Sequence, residues 1–304
     1  MNFMYFLADP LALLIRPIYE AIQNYGWTLV IVTILINLLT IPLTIISQKS
    51  TSKTQQLQPL IAELQKKYKN DREKLNTEMQ KLYTKYDINP MSGCLPMIVR
   101  LFIIFGFIGV VYNPLRYILQ LSADQIQAVT DAVRSVAETA GVQLGARDLV
   151  YQVKVCGMAG APEAIEALGK TPINFNFLGI DLTKMLRENM GDFRVWIIPV
   201  LAVLATVGSS FVTKKIMARN NAGAGGDQAA AMNNSMILMM PLMTAYFTFI
   251  MPVGMSLYWF TSTIVNVAQQ MIVNILMKKH PSDIPLTLND SKKLKKEKEN
   301  DQKG

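Results

Sequence analysis

Residues 94–112 read CLPMIVRLFIIFGFIGVVY. From Leu95 to Val111 this run is apolar except for Arg100. Its length and composition predict a helix that crosses a bilayer, for which about 20 apolar residues suffice. A charge at the centre of such a helix costs roughly 2.5–3.5 kcal/mol on insertion scales, so it usually faces a bundle interior or a wet cavity. The rest of the chain is read outward from that one charge.

The 304 residues are 51% hydrophobic, with net charge +8 and mean hydropathy +0.24. Several further runs approach spanning length, and none alternates as barrel strands do. The expected class is an all-α polytopic membrane protein with five transmembrane helices. Two cysteines make no disulfide framework. The single histidine, His280, lies in a polar tail, which argues against a His-based metal or catalytic site. MNFMYFLA at residues 1–8 lacks the positive start of a cleavable signal peptide.

Upstream, residues 1–26 hold an N-terminal stretch with an amphipathic helix over 10–23, where Leu11, Leu14, Ile18 and Ile22 share a face. Its alternative is a frayed extension of the first span. Residues 27–47 form that span. Thr33, Asn37, Thr40 and Thr44 make a polar stripe along it, and Pro42 predicts a break near its far end. Residues 48–91 predict a helical hairpin. One apolar stripe runs through Leu57, Leu60, Ile61, Leu64 and Tyr68, a second through Leu75, Met79, Leu82 and Tyr86, with Lys69-Asn70-Asp71 between them.

Downstream of the second span (92–112), residues 113–192 form a long soluble or interfacial segment. Ser122 and Gln125 predict a capping box on a helix through Thr139 with Ile126, Val129, Val133 and Val136 on its apolar face. A short helix is expected at Pro162–Leu168, and an interfacial return to the membrane at Phe175–Leu182. Residues 193–213, 236–251 and 255–277 are the remaining spans. The first of these carries Thr206, Ser209, Ser210 and Thr213, the next Thr244 and Thr248, and the last Ser262, Asn266, Gln269 and Gln270. Residues 214–235 are a loop, flexible over Asn220–Gln228, Pro252-Val253-Gly254 a tight turn, and 278–304 a Lys-rich tail, disordered by composition.

Lysine and arginine concentrate in 48–91, 214–219 and the tail, all on one side of a five-span arrangement. Positive-inside counting puts the hairpin and C-terminus in the cytoplasm and the N-terminus outside. Each polar stripe alone is ordinary helix–helix glue. Together with Arg100 they suggest a shared polar cavity. Carboxylate pairs, metal-ligand clusters, phosphate loops and nucleophile constellations are missing from the sequence. That points away from an enzyme, and no cofactor is expected.

Two blocks resemble the YidC/Oxa-type membrane protein insertases. The first runs from Asn24-Tyr25-Gly26-Trp27 through Pro42-Leu43-Thr44, Gln58-Pro59 and Asn89-Pro90 to Gly93-Cys94-Leu95-Pro96. The second comprises Pro252, Gly254, Leu257-Tyr258-Trp259 and Gln269-Gln270. The resemblance implies five spans around a hydrophilic groove, without the large extracytoplasmic domain of some members. It implies insertion and folding of client transmembrane segments in a bacterial plasma membrane, alone or with the Sec translocon. Implied partners are nascent membrane proteins, a targeting receptor, the ribosome (through the basic tail) and membrane lipids. The groove residues expected here are Arg100, Asn37, Thr33, Thr40, Thr44, Trp259, Ser262 and Asn266. The family's usual groove arginine aligns with Asn37, so the charge is expected to have moved to Arg100. Snorkelling of Arg100 to lipid headgroups is the alternative. An anion channel or transporter using Arg100 as its selectivity charge is the rival function, and a non-catalytic assembly scaffold a second. A 44-residue hairpin (Gln48–Met91) and the lack of an inverted repeat count against the channel.

Overall fold

A computed structural model describes residues 2–86, 95–142, 144, 150–220 and 227–279. Asn89-Pro90, Gly93-Cys94, His280, most of the 220–228 loop and nearly all of the tail lie outside these. The described chain is mostly helical, in keeping with an all-α membrane protein. It divides into two compact units. One contains Met1–Ile41, Met97–Val212 and Ile237–Ala268, the other Pro42–Pro96, Thr213–Met236 and Gln269–Gly304.

In the larger unit, α1 runs from Asn2 to Ile22, starting well before Pro10 and passing through both Pro10 and Pro17. Ala8, Ile15 and Tyr19 are its buried stripe, while Leu11, Leu14 and Ile18 flank it half-buried. α2 (Tyr25–Leu39) starts at Asn24, whose side-chain oxygen accepts from the Trp27 amide at 3.1 Å. It stops at Thr40, two residues before Pro42. α6 (Leu95–Tyr112) carries Arg100 and is followed by the single turn α7 (Pro114–Tyr117).

Residues 113–192 fold onto this same core. The Ser122–Gln125 capping box is present and opens α8 (Ala123–Ala132). The helix is interrupted at Val133, and α9 (Arg134–Thr139) resumes it. Ile126, Val129 and Val133 are buried as expected, but Val136 is 40% exposed and Ala137 takes its place inside. α10 (Tyr151–Cys156) had no clear signal, and α11 (Ala161–Ala167) is the expected short helix. Phe175–Leu182 contains an antiparallel pair, β1 (Asn176–Phe177) and β2 (Ile180–Asp181). Leu178 and Gly179 form its two-residue turn with φ of 52° and 82°, the signature of a type I′ hairpin.

The last three helices are α12 (Phe193–Asn220), α13 (Asp227–Ile250) and α14 (Val253–Lys279). α12 and α13 continue into the expected 214–235 loop, leaving only a short connection. Among the described residues, Phe193–Lys215 alone is long and apolar enough to cross a membrane unbroken. α2 passes the same test together with the helix after Thr40, and Ile98–Tyr112 and Met239–Ile250 are shorter apolar helices.

Burial in the larger unit is concentrated at one end of these helices. Phe107, Val110 and Val111 of α6 are essentially inaccessible, whereas Ile98, Leu101 and Phe102 are exposed. Val253, Met255, Leu257 and Tyr258 are buried at the start of α14, whereas Ile264 and Ile272 are not. Large apolar side chains stay exposed along α12 and α13 as well, including Leu204, Phe211 and Leu242. Such surface suits hydrocarbon better than water.

In the smaller unit, α3 (Ile41–Gln56) leads into α4 (Gln58–Lys67) and α5 (Arg72–Lys85). Asp71 caps α5 by accepting from the Lys74 amide at 2.9 Å. Leu57, Leu60 and Ile61 are buried against Met79, Leu82, Tyr83 and Tyr86, the seam the two stripes predict.

Candidate functional site: Arg100 and its polar neighbours

Arg100 lies five residues into α6, and its guanidinium Nη2 donates to Ser262 Oγ on α14 at 3.3 Å. Arg100 is exposed, while Ser262 and the adjacent Thr261 are buried. Asn266, one turn beyond Ser262, donates from Nδ2 to the Ser262 carbonyl and, at 3.2 Å, to Ser262 Oγ. The Tyr258 phenol, one turn before, interacts with both Arg100 and Ser262. Its ring stacks on Phe107 with centroids 4.3 Å apart, which holds α6 and α14 together beneath the polar group. One exposed cation thus meets Tyr258 and Ser262, with Asn266 bonded to Ser262 behind them, all on a single face of α14.

Thr33 and Asn37 are buried on α2. Their polar atoms turn back on their own helix. Thr33 Oγ1 donates to Leu29 O at 2.6 Å and Asn37 Nδ2 to Thr33 O at 2.7 Å. Thr40 Oγ1 donates to Asn37 O at 2.9 Å, where α2 ends. Thr206, Ser210 and Thr244 back-bond in the same way to the carbonyls of Ala202, Thr206 and Met240. Such bonds satisfy a hydroxyl within its own helix. Trp259 is half-buried, with its ring 5.8 Å from that of Phe247 on α13. Thr44 falls in the smaller unit. There, Thr213 Oγ1 donates to Gln270 Oε1 at 3.2 Å, joining α12 to α14.

Of the expected site residues, the structure therefore brings Arg100, Ser262 and Asn266 into one bonded group. Tyr258 belongs to that group and was not singled out as a site residue. Its position one turn from Ser262 was a readable signal. Among the described residues there is no group of three His, Cys, Asp or Glu side chains placed to hold a metal.

Comparison with known proteins agrees with this architecture. The profile of the family described as "60Kd inner membrane protein" matches residues 17–280. A protein of Nitratidesulfovibrio vulgaris strain DP4 named "Membrane protein insertase YidC" is 33% identical over 179 residues, which is 57% of this chain and 33% of that protein. The protein of the same name from Syntrophus aciditrophicus is 42% identical over 120 residues, 40% of this chain and 21% of the relative. The one from Citrifermentans bemidjiense is 28% identical over 269 residues, 88% of this chain and 36% of the relative. The chain thus spans about a third or less of the first two relatives' length. With the profile covering all but the ends, the chain belongs to the 60Kd inner membrane protein family, the YidC/Oxa-type family that its two motif blocks resemble.

Proposed function

We propose that this protein is a membrane protein insertase, which delivers transmembrane segments of client proteins into the bilayer and assists their folding. Family membership supports the class of activity. The observation that carries the mechanism is the Arg100–Ser262–Asn266 group, a positive charge with polar company on an otherwise apolar helix pair. No covalent chemistry is required. Moving an unpaired polar tail through hydrocarbon costs several kcal/mol per unsatisfied group. A wet path partway into the bilayer shortens that crossing. At about 1.5 Å per residue, Arg100 sits about 8 Å from Leu95, within reach of water from that end. There it offers acidic residues of an incoming tail a transient partner in a medium of lower dielectric than water. The client's apolar segment then passes into lipid, and its burial drives the step.

In this reading five helices span the membrane, with the N-terminus outside and the α4–α5 hairpin and C-terminus in the cytoplasm. The groove is lined by Arg100, Asn37, Thr33, Thr40, Trp259, Ser262 and Asn266. The hairpin receives the nascent chain or its targeting receptor. The Lys-rich tail attracts ribosomal RNA phosphates, and some clients are handled with the Sec translocon. The test is reconstitution of the purified chain in liposomes with a single-span client. Protease protection of the client's outer tail is expected in its presence only. Anion flux without client insertion would instead identify a channel.

A further inference from the structure

We propose that the β1–β2 hairpin is a lipid anchor, its tip Leu178 seated in the membrane interface beside the start of α2. The proposal rests on reading α2 as the beginning of a span. Leu178 is 76% exposed and occupies the first central position of the type I′ turn, with φ of 52°. That position favours Asn, Asp or Gly. A bulky side chain there is a conformational outlier. An exposed leucine in a backbone state it disfavours is poor design for water on both counts. Burial of the side chain removes the first objection and offsets the steric cost of the second, and backbone outliers of this kind often mark functional positions.

Three contacts fix where the tip sits. Asn24 Nδ2 donates to Asn176 O at 2.9 Å, and the Tyr25 amide donates to Asn174 O at 2.9 Å. Phe177 packs edge-on to Trp27 at 5.2 Å between centroids and lies so close to Gly26 that a Cβ there would overlap its ring. The hairpin is therefore clamped to the first turn of α2. Trp27 itself is 46% exposed. A half-exposed Trp at the mouth of an apolar helix is the usual marker of the membrane–water boundary. Leu178 is one residue from Phe177, about 3.8 Å along the chain. The interfacial layer on each side of the hydrocarbon is about 5–8 Å deep, so the tip stays within it. α12 begins similarly. Met190 and Phe193 are 61% and 74% exposed, and Trp196 Nε1 donates to Met190 O at 3.1 Å. Lipid is thus the occupant that matches the neighbourhood, with a protein partner as the competing outcome.

The test places nitroxide labels singly at Leu178, Ser135 and Leu204 of the full chain in liposomes that contain no other protein. Collisions with oxygen and with a water-soluble nickel chelate are then compared. Leu178 should show a higher oxygen-to-nickel ratio than Ser135, on exposed α9. If Leu178 is as open to nickel as Ser135, the anchor is refuted and a protein partner becomes the better reading of the tip. Leu204, exposed midway along α12, reports on the spans independently, and nickel access there would refute the membrane placement of the helices instead. A second measurement uses no label. Leu178→Asn suits the turn, so on a hairpin free in water it should slow amide exchange over residues 176–181 or leave it unchanged. On a hairpin held by lipid, the same substitution should speed exchange in liposomes, and its failure to do so would also refute the anchor.

Discussion

In the proposed mechanism, Arg100 is where a single side chain carries the most functional weight. If it is the groove charge, Arg100→Ala slows insertion of clients with acidic outer tails while sparing those with neutral tails. Two unit charges about 6 Å apart attract by about 3 kcal/mol at an effective dielectric of about 20. Retaining half of that in the transition state is about tenfold in rate. The double change Asn37→Arg with Arg100→Gln should restore the rate if, as the resemblance implies, a groove charge can equally be carried by α2. Insertion kinetics with paired clients check both, at matched protein levels. A silent Arg100→Ala across acidic-tailed clients would sink the charge mechanism. A second residue-scale expectation concerns Cys156. Burial pushes its thiol well above the ordinary range, so the neutral form is favoured in the fold. The stability this contributes is intact below the unfolded thiol's pKa, about 8.5, and declines as pH rises beyond it. Alkylation of Cys156 should accordingly be slow in the native protein at pH 8 and fast after denaturation, as read by mass spectrometry.

At the scale of elements, the hairpin and the helix–helix contacts make separable claims. α4 and α5 bury a short seam of their own, centred on Leu57, Leu60 and Ile61. Deleting Leu57–Tyr86 should abolish client insertion yet leave the larger unit folded, judged by its thermal transition in detergent. Insertion at the normal rate would show that the arm is not a receiving site. Gly106 faces α1 so closely that an added Cβ would stand 2.5 Å from the Leu7 carbonyl oxygen. Gly106→Ala is expected to cost about 1–3 kcal/mol through overpacking against backbone that cannot move aside. The entry to α12 is held by Lys184 and Asp192, 3.0 Å apart. The bond from Lys184 and one from the Arg194 amide hold the Asp192 carboxyl below the usual carboxylate range. Its contribution is present above the unfolded pKa, about 3.9, and is lost as pH falls through the lower folded value.

Much of this level was legible beforehand, for identifiable reasons. The hairpin seam, the capping box and the break before Pro42 are signals within a few residues of the feature they specify. The misreadings came where distant contacts decide. Asp9-Pro10 looks like a helix start because the residue before proline avoids the helical region. Yet α1 runs through it, with Ala8 buried against the core. The interfacial return expected at Phe175–Leu182 is not among these; what the sequence leaves open there is that it takes the form of a β-hairpin, because its clamp is formed by Asn24 and Tyr25 far away in the chain. Val136 and Ala137 lie about equally near the buried face of α8–α9, and the smaller Ala137 is the one packed inside, a choice that an apolar count decides the wrong way. At the polar site, spacing placed Ser262 and Asn266 on one face of α14. That Arg100 would reach across to them depends on how α6 packs against α14, here through Phe107 and Tyr258.

For the whole molecule, the first measurement is sidedness. Single-cysteine probes at Asn76 and Asn300 should react only from the cytoplasm and at Ser135 only from outside. External labelling of Asn76 in intact cells would contradict the orientation and the delivery mechanism with it. The larger unit also has a mechanical asymmetry. Near the start of α14, the Gly254 and Val253 amides donate to Leu182 O and Lys184 O, and Pro252 pairs with Met185. The start of α2 is tied to Asn174, and Tyr25 Oη donates to Val111 O near the end of α6. Three helices are thus riveted together at one end, α2 and α14 by main-chain bonds to the 174–185 segment and α6 by the Tyr25 phenol. Eleven residues along α6, about 17 Å from that pivot, the polar tie from Arg100 to α14 is a side-chain bond of 3.3 Å. A rotation of about 10° about the riveted end would carry Arg100 about 3 Å sideways over that lever arm. Any flexing of α6 against α14 would therefore act as tweezers do, with least travel at the rivet and most at the tips where the charge is held.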